Sequence, residues 1–166
     1  MTSNTENTQA LPAPLAAHLA PTARNLVSAA TAVAKLTATG WQPLRGYPGS
    51  DLHWHVRCLV CGRWDGPKFY SHLRRGKPAS RHPECLPAEQ RTAKLAEITA
   101  ALRQACPCPG AAHPVTAEDA TRALREVARA RDEGDEDVLS AQLARLLGPC
   151  PAAAARAAAI QAAARA

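Results

Sequence analysis

Residues 58–62 read Cys-Leu-Val-Cys-Gly and residues 82–85 read His-Pro-Glu-Cys, and these two short stretches decide the fold. A C-x-x-C turn offers two thiolates from one tight knuckle, with Gly62 relieving crowding as the chain leaves it. The H-x-x-C pair offers two further donors at the start of a helix, where the positive dipole end favours thiolate. Cys58, Cys61, His82 and Cys85 therefore make a tetrahedral set suited to zinc. With four protein ligands the site is closed, so its task is to hold a small fold together and not to activate water. His72 is the rival for the fourth place, but it falls in a predicted loop and lacks the spacing to Cys85 that His82 has.

Upstream of the knuckle, Leu52, Trp54 and Val56 alternate with His53, His55 and Arg57, the period of a half-buried strand. On that outward face His53 and His55 read as solvated residues. The segment 39–51, punctuated by Pro43, Gly46, Pro48 and Gly49, predicts an ordered loop. Before it, Leu26, Ala29, Ala30, Val33 and Leu36 share one face of a helix expected over 23–38, with Gly40 just past its end. After the knuckle, Asp65-Gly66 predicts a hairpin turn between two short strands. A helix is expected over 87–105, with Pro87 and Glu89 in its first turn and Leu95, Ile98 and Leu102 on one face. Knuckle, hairpin, then a helix carrying the last ligands is the order of a treble-clef zinc finger. The expected class is a small α+β fold of that type flanked by helices.

The rest of the chain is read by composition. Of 166 residues 38 are Ala, whereas Leu, Ile, Val and Phe together number 27, too few for a chain packed from end to end. All six aromatic residues lie between Trp41 and Tyr70. Four regions follow: a disordered tail over 1–21, a zinc-finger domain over 22–105, a helical hairpin over 106–150 and an Ala-rich tail over 151–166. In the hairpin, Thr116 with Asp119 resembles a capping box, and the acidic turn 132–137 separates a stripe of Ala120, Leu124 and Val127 from one of Leu139, Leu143, Leu146 and Leu147. At its base Cys106, Cys108, His113 and Cys150 could converge if the helices pack antiparallel, making a second zinc site. The alternatives there are free thiols or an adventitious disulfide.

No run approaches the roughly 20 apolar residues of a membrane span, and the opening MTSNTENTQ lacks a basic start and an apolar stretch, so a cytoplasmic protein is expected. In a reducing compartment cysteines serve more readily as ligands than as disulfides.

The run AKLTATGWQPLRGYPGSDLHWHVRCLVCGRW, residues 34–64, resembles the short treble-clef-type zinc modules of actinobacterial proteins: a helix end, then G-[YW]-x-P-L, a YPG turn, a Trp and an R-C-x-x-C-G knuckle. The likeness extends to about residue 86. Those modules usually end in paired cysteines, and here His82 stands for the first. The resemblance implies a zinc-held fold of the kind found in phage, mobile-element and DNA-associated proteins.

The formal net charge of +6 resides between Arg45 and Arg81, where eight basic residues face only Asp51 and Asp65. Arg63, Lys68, Arg74, Arg75, Lys77 and Arg81 cluster after the knuckle, the electrostatic footprint of a nucleic-acid binder, DNA above all. Solvated arginines that merely offset thiolate charge would look similar. Two other functions compete. A protein-interaction adaptor, or self-association, would use the helix faces over 87–105, 117–131 and 137–147. A nuclease would need a general base such as His53 or His55 and a metal ligand on the following helix, and residues 87–105 offer no His, Asn or Asp. The expectation is a non-enzymatic zinc protein.

Overall fold

A computed structural model of the chain describes residues 12–75, 81–104, 106, 108 and 113–166. The first helix, α1, spans Ala23–Ala38; Thr22 caps it by accepting the Asn25 N–H on its hydroxyl. Leu26, Ala29, Ala30, Ala32, Val33 and Leu36 are its buried face, as their spacing predicts. Three antiparallel strands follow in the order β1 (Trp41–Pro43), β2 (Trp54–Cys58) and β3 (Asp65–Lys68). Alternation in β2 turns Trp54, Val56 and Cys58 inward and His55 outward. The register sets Trp41 opposite Cys58 and Lys68 opposite Trp54, so both partners join the inward face.

The expected turn at Asp65-Gly66 is not there. Both residues lie within β3, paired with Arg57 and Val56, and the chain reverses instead through the knuckle itself, 59–64. Gly62, at φ 71°, supplies the left-handed residue of that reversal. Gly66 is a glycine for a different reason, because the Trp64 ring fills the space where its Cβ would stand. No second hairpin follows the knuckle among the described residues; a short helix, α2 (Tyr70–Arg74), comes next.

Four more helices complete the described chain: α3 (Ala88–Gln104), α4 (Ala117–Glu133), α5 (Glu136–Leu147) and α6 (Ala153–Arg165). Thr116 caps α4 by accepting the Asp119 N–H, as the capping box predicts, and Gly134 ends it in the left-handed conformation. Asp135 then caps α5, and the two helices form the expected hairpin. Their apolar stripes face inward: Ala120, Ala123, Val127, Leu146 and Leu147 are buried in the common core. Of the faces considered for a partner, α3 alone has no fully buried residue.

The described parts of both expected tails, 12–21 and 151–166, carry residues that pack on the core. Residues 1–11 lie outside the described residues, but Leu15 is only 7% exposed and its segment runs beside Tyr47, with backbone bonds from Ala16 N–H to Tyr47 O and from Tyr47 N–H to Pro14 O. Leu19 also packs against the core and His18 Nε2 lies 2.8 Å from Pro48 O, so apolar contact and satisfied polar groups together hold this strap. The C-terminal stretch is likewise no tail, because α6 packs against α1 and α4 and buries Ala153, Ala157, Ala159 and Ile160. Alanine faces allow close helix approach, so contact replaces side-chain bulk. The helical hairpin and the sheet thus share one core with α1. None of the described helices is long and apolar enough to cross a membrane.

Candidate metal centres

The knuckle is held from three sides. The Cys58 N–H donates to Trp64 O at 2.9 Å, the Gly62 N–H to Cys58 O at 2.9 Å and the Leu59 N–H to Gly40 O at 2.9 Å, tying the turn to the start of β1. The other pair sits on the turn before α3, where Glu84 takes a left-handed φ of 65° between His82 and Cys85. The donor atoms of Cys58, Cys61, His82 and Cys85 all lie within 4.8 Å of one another. The Cys61 Sγ to His82 Nε2 distance is 3.2 Å and the Cys58 Sγ to Cys85 Sγ distance is 3.8 Å. A tetrahedral ion with bonds of about 2.3 Å to sulfur and 2.0 Å to nitrogen needs donor separations of roughly 3.5 to 3.8 Å. The cluster could therefore hold a metal ion, and its donor set is compatible with zinc. His72 lies apart from it, exposed on α2 with its ring beside Phe69.

The surroundings orient these donors. His82 Nδ1 is 2.7 Å from Pro83 O, so Nδ1–H donates to that carbonyl and leaves Nε2 with a free lone pair toward the cysteines. The Trp64 ring stacks on His82 at 4.8 Å and 5°, and Trp41 meets both edge-on. Arg81 turns inward: its guanidinium lies 3.8 Å from the Trp41 centroid and donates to Thr39 O at 2.5 Å and to Cys58 Sγ at 2.8 Å. Burial would push the Cys58 thiol up, but the Cys61 N–H, Arg81 and His82 outweigh it and bring it down to about 6. Cys61 moves the other way, raised by burial and by its thiolate neighbours Cys58 and Cys85.

Four donors converge a second time. Cys106, Cys108, His113 and Cys150 also lie within 4.8 Å of one another, with His113 Nε2 at 3.4 Å from Cys106 Sγ and 3.7 Å from Cys150 Sγ. The ligands come from the residues after α3, the approach to α4 and the link between α5 and α6, so the helical hairpin does return Cys150 to its base. Arg156 of α6 reaches this cluster and is only 1% exposed. It donates to Cys108 Sγ at 3.7 Å, to Arg145 O at 3.1 Å and, in a short bond, to Gly148 O. Burial pushes the Cys108 thiol up to about 12, with the neighbouring Cys150 adding to the rise and Arg156 opposing it. Cys106 is lowered, because the Cys108 N–H, its thiol neighbours and Arg156 overcome the opposing effect of burial. Nothing in the sequence pattern singled out Arg156 for a role at this cluster.

The six basic residues expected at a nucleic-acid surface divide into three groups. Arg63, Arg74 and Arg75 are exposed and form no ion pair with a described carboxylate. Lys68 and Arg81 face the first cluster instead, Lys68 sitting 4.5 Å from the Trp41 centroid because its register puts it on the inward face. Lys77 lies outside the described residues. His53 and His55 are exposed and belong to neither cluster.

No known protein family, curated protein or solved structure matches the chain.

Proposed function

We propose that this chain is a structural zinc protein that binds nucleic acid, with zinc held by Cys58, Cys61, His82 and Cys85. The knuckle and the turn before α3 together then act as a treble-clef-like unit. Arg63, Arg74 and Arg75 are the phosphate contacts, joined by Lys77, and the role is non-catalytic. The observation that carries this reading is the division of the basic residues: the whole net charge lies in 45–81, where Arg57 pairs with Asp65 but Arg63, Arg74 and Arg75 are exposed with no carboxylate partner among the described residues. Lys68 and Arg81 are better understood as charge partners of the thiolates than as phosphate ligands. The bound zinc fixes the two ends of the basic segment, residues 61 and 82, so its cations are presented on a rigid base.

Fluorescence anisotropy with a labelled duplex and a labelled single strand across a salt series tests the reading. Three to four phosphate contacts give a slope of log affinity against log salt of about −3 to −4 on duplex DNA. Replacing Arg74 and Arg75 by Ala should make that slope shallower by about two and weaken both probes without sequence preference. Affinity unchanged in that variant, at full zinc content, would overturn the proposal and direct attention to α3 as a protein-docking face.

A further inference from the structure

We propose that Cys106, Cys108, His113 and Cys150 form a second zinc site whose charge partner is Arg156, and that this ion anchors α6 to the rest of the bundle. Four donors of zinc-binding type, from three separate segments, converge within 4.8 Å. Three thiols and an imidazole are a zinc-type donor set, and the cysteines here are free. The independent observation is Arg156. Its guanidinium is 1% exposed, its Nε has no hydrogen-bond partner, and it pairs with no carboxylate among the described residues. An isolated buried cation is costly unless an anion compensates it. Three thiolates and a neutral imidazole around a zinc ion carry one net negative charge, which is the compensation Arg156 lacks elsewhere.

The packing agrees with this assignment. A Cβ on Gly148 would stand 2.6 Å from Cys108 Sγ, so the α5–α6 link passes as close to the ligand as backbone can. Arg156 is also the one charged side chain buried on α6, whose remaining contacts are alanines and Ile160. To this close alanine packing Arg156 adds polar contacts to Cys108 Sγ, Arg145 O and Gly148 O, which tie α6 to the cluster itself.

The test uses the full chain. Metal content by plasma mass spectrometry, with cobalt substitution to read tetrahedral thiolate ligation, should give about two equivalents for the unaltered protein and about one for Cys106→Ser/Cys108→Ser. Cys58→Ser/Cys61→Ser should also retain about one, so loss at the first centre is distinguished from loss at the second. Arg156→Met, which keeps the volume, should weaken the second equivalent by roughly tenfold or more and leave the other unchanged. Hydrogen exchange of the α6 amides should quicken in Cys106→Ser/Cys108→Ser. If a variant misfolds, a chelator titration of the unaltered protein decides, since two sites of different surroundings should release metal in two steps. A single equivalent that survives in Cys106→Ser/Cys108→Ser, or one release step accounting for one ion, would overturn the second site. A second equivalent with unchanged α6 exchange would overturn the anchoring role.

Discussion

The two clusters have the same donors, three cysteines and one histidine, and each has an inward-turned arginine donating to a cysteine sulfur and to backbone carbonyls. They differ in how the histidine is oriented. At the first, His82 Nδ1–H donates to Pro83 O and the ring stacks on Trp64, so Nε2 already faces the cysteines as an acceptor. At the second, His113 Nδ1 lies 3.1 Å from Arg156 Nη1, which can only donate. The ring must then carry its proton on Nε2, toward the cysteines, and ligation requires it to move to Nδ1 and that contact to loosen. A shared donor set therefore does not make two equivalent sites; the groups behind the ligands decide how much each must rearrange.

The largest expected effect separates the centres by what they support. Removing metal with a strong chelator should lower the melting temperature of the near-ultraviolet dichroism of Trp41 and Trp64, which pack against His82 of the first cluster, more than that of the helical signal. Structural zinc contributes on the order of 10 kcal/mol to the folding of small modules, whereas α1, α4 and α5 bury apolar faces of their own. Tryptophan signals unaffected by chelation would break the distinction.

A smaller effect concerns acid. In the metal-free protein, Cys58 is lowered to about 6 whereas Cys108 is raised to about 12. Thiolate absorbance should therefore show a step near pH 6 that vanishes in Cys58→Ser, with no counterpart from Cys108 at neutral pH. For Cys58 the folded value lies below the ordinary 9.0, so the stability it contributes is complete above about 9 and is lost as pH falls through 6. Metal-free protein that became less stable as pH rose from 6 to 8 would contradict this. The sign reverses for Cys108: a raised thiol stabilises the fold below the ordinary value and loses that contribution as pH climbs above it.

The smallest effect is at the two glycines beside the clusters. Gly62→Ala meets no atom within 4 Å but must hold φ 71°, a strain of about 1 kcal/mol, and should lower stability without changing metal content. Gly148→Ala has an ordinary φ of −61° but its Cβ meets Cys108, so it should weaken metal binding at the second centre instead. Equal effects of the two on metal content would erase the contrast.

Much of this was legible in the residues. The x-x spacings, the alternation of Trp54, Val56 and Cys58, and the stripe of α1 each report a local period that tertiary packing left intact. Asp65-Gly66 misled because a turn dipeptide signals only where its glycine is free to take a positive φ, and Gly66 is held in a strand beneath Trp64. Lys68 and Arg81 read as surface charge, since nothing local tells a cation over an indole from one in water. The Ala-rich end read as a tail because transfer energy per alanine is small, a measure blind to how closely two alanine faces can approach.

By itself, the sequence determined the two groups of candidate donors, the bounds of α1 and the Thr116 cap of α4, and the concentration of charge in 45–81. Each depends on residues close in the chain, where spacing and backbone preference are enough. Only the tertiary structure decided that α6 joins the core, that Arg156 meets Cys108 and that His82 Nδ1 faces a carbonyl whereas His113 Nδ1 faces an arginine. Those outcomes depend on contacts between residues far apart in the chain, and burial and charge compensation select them only once the helices have packed.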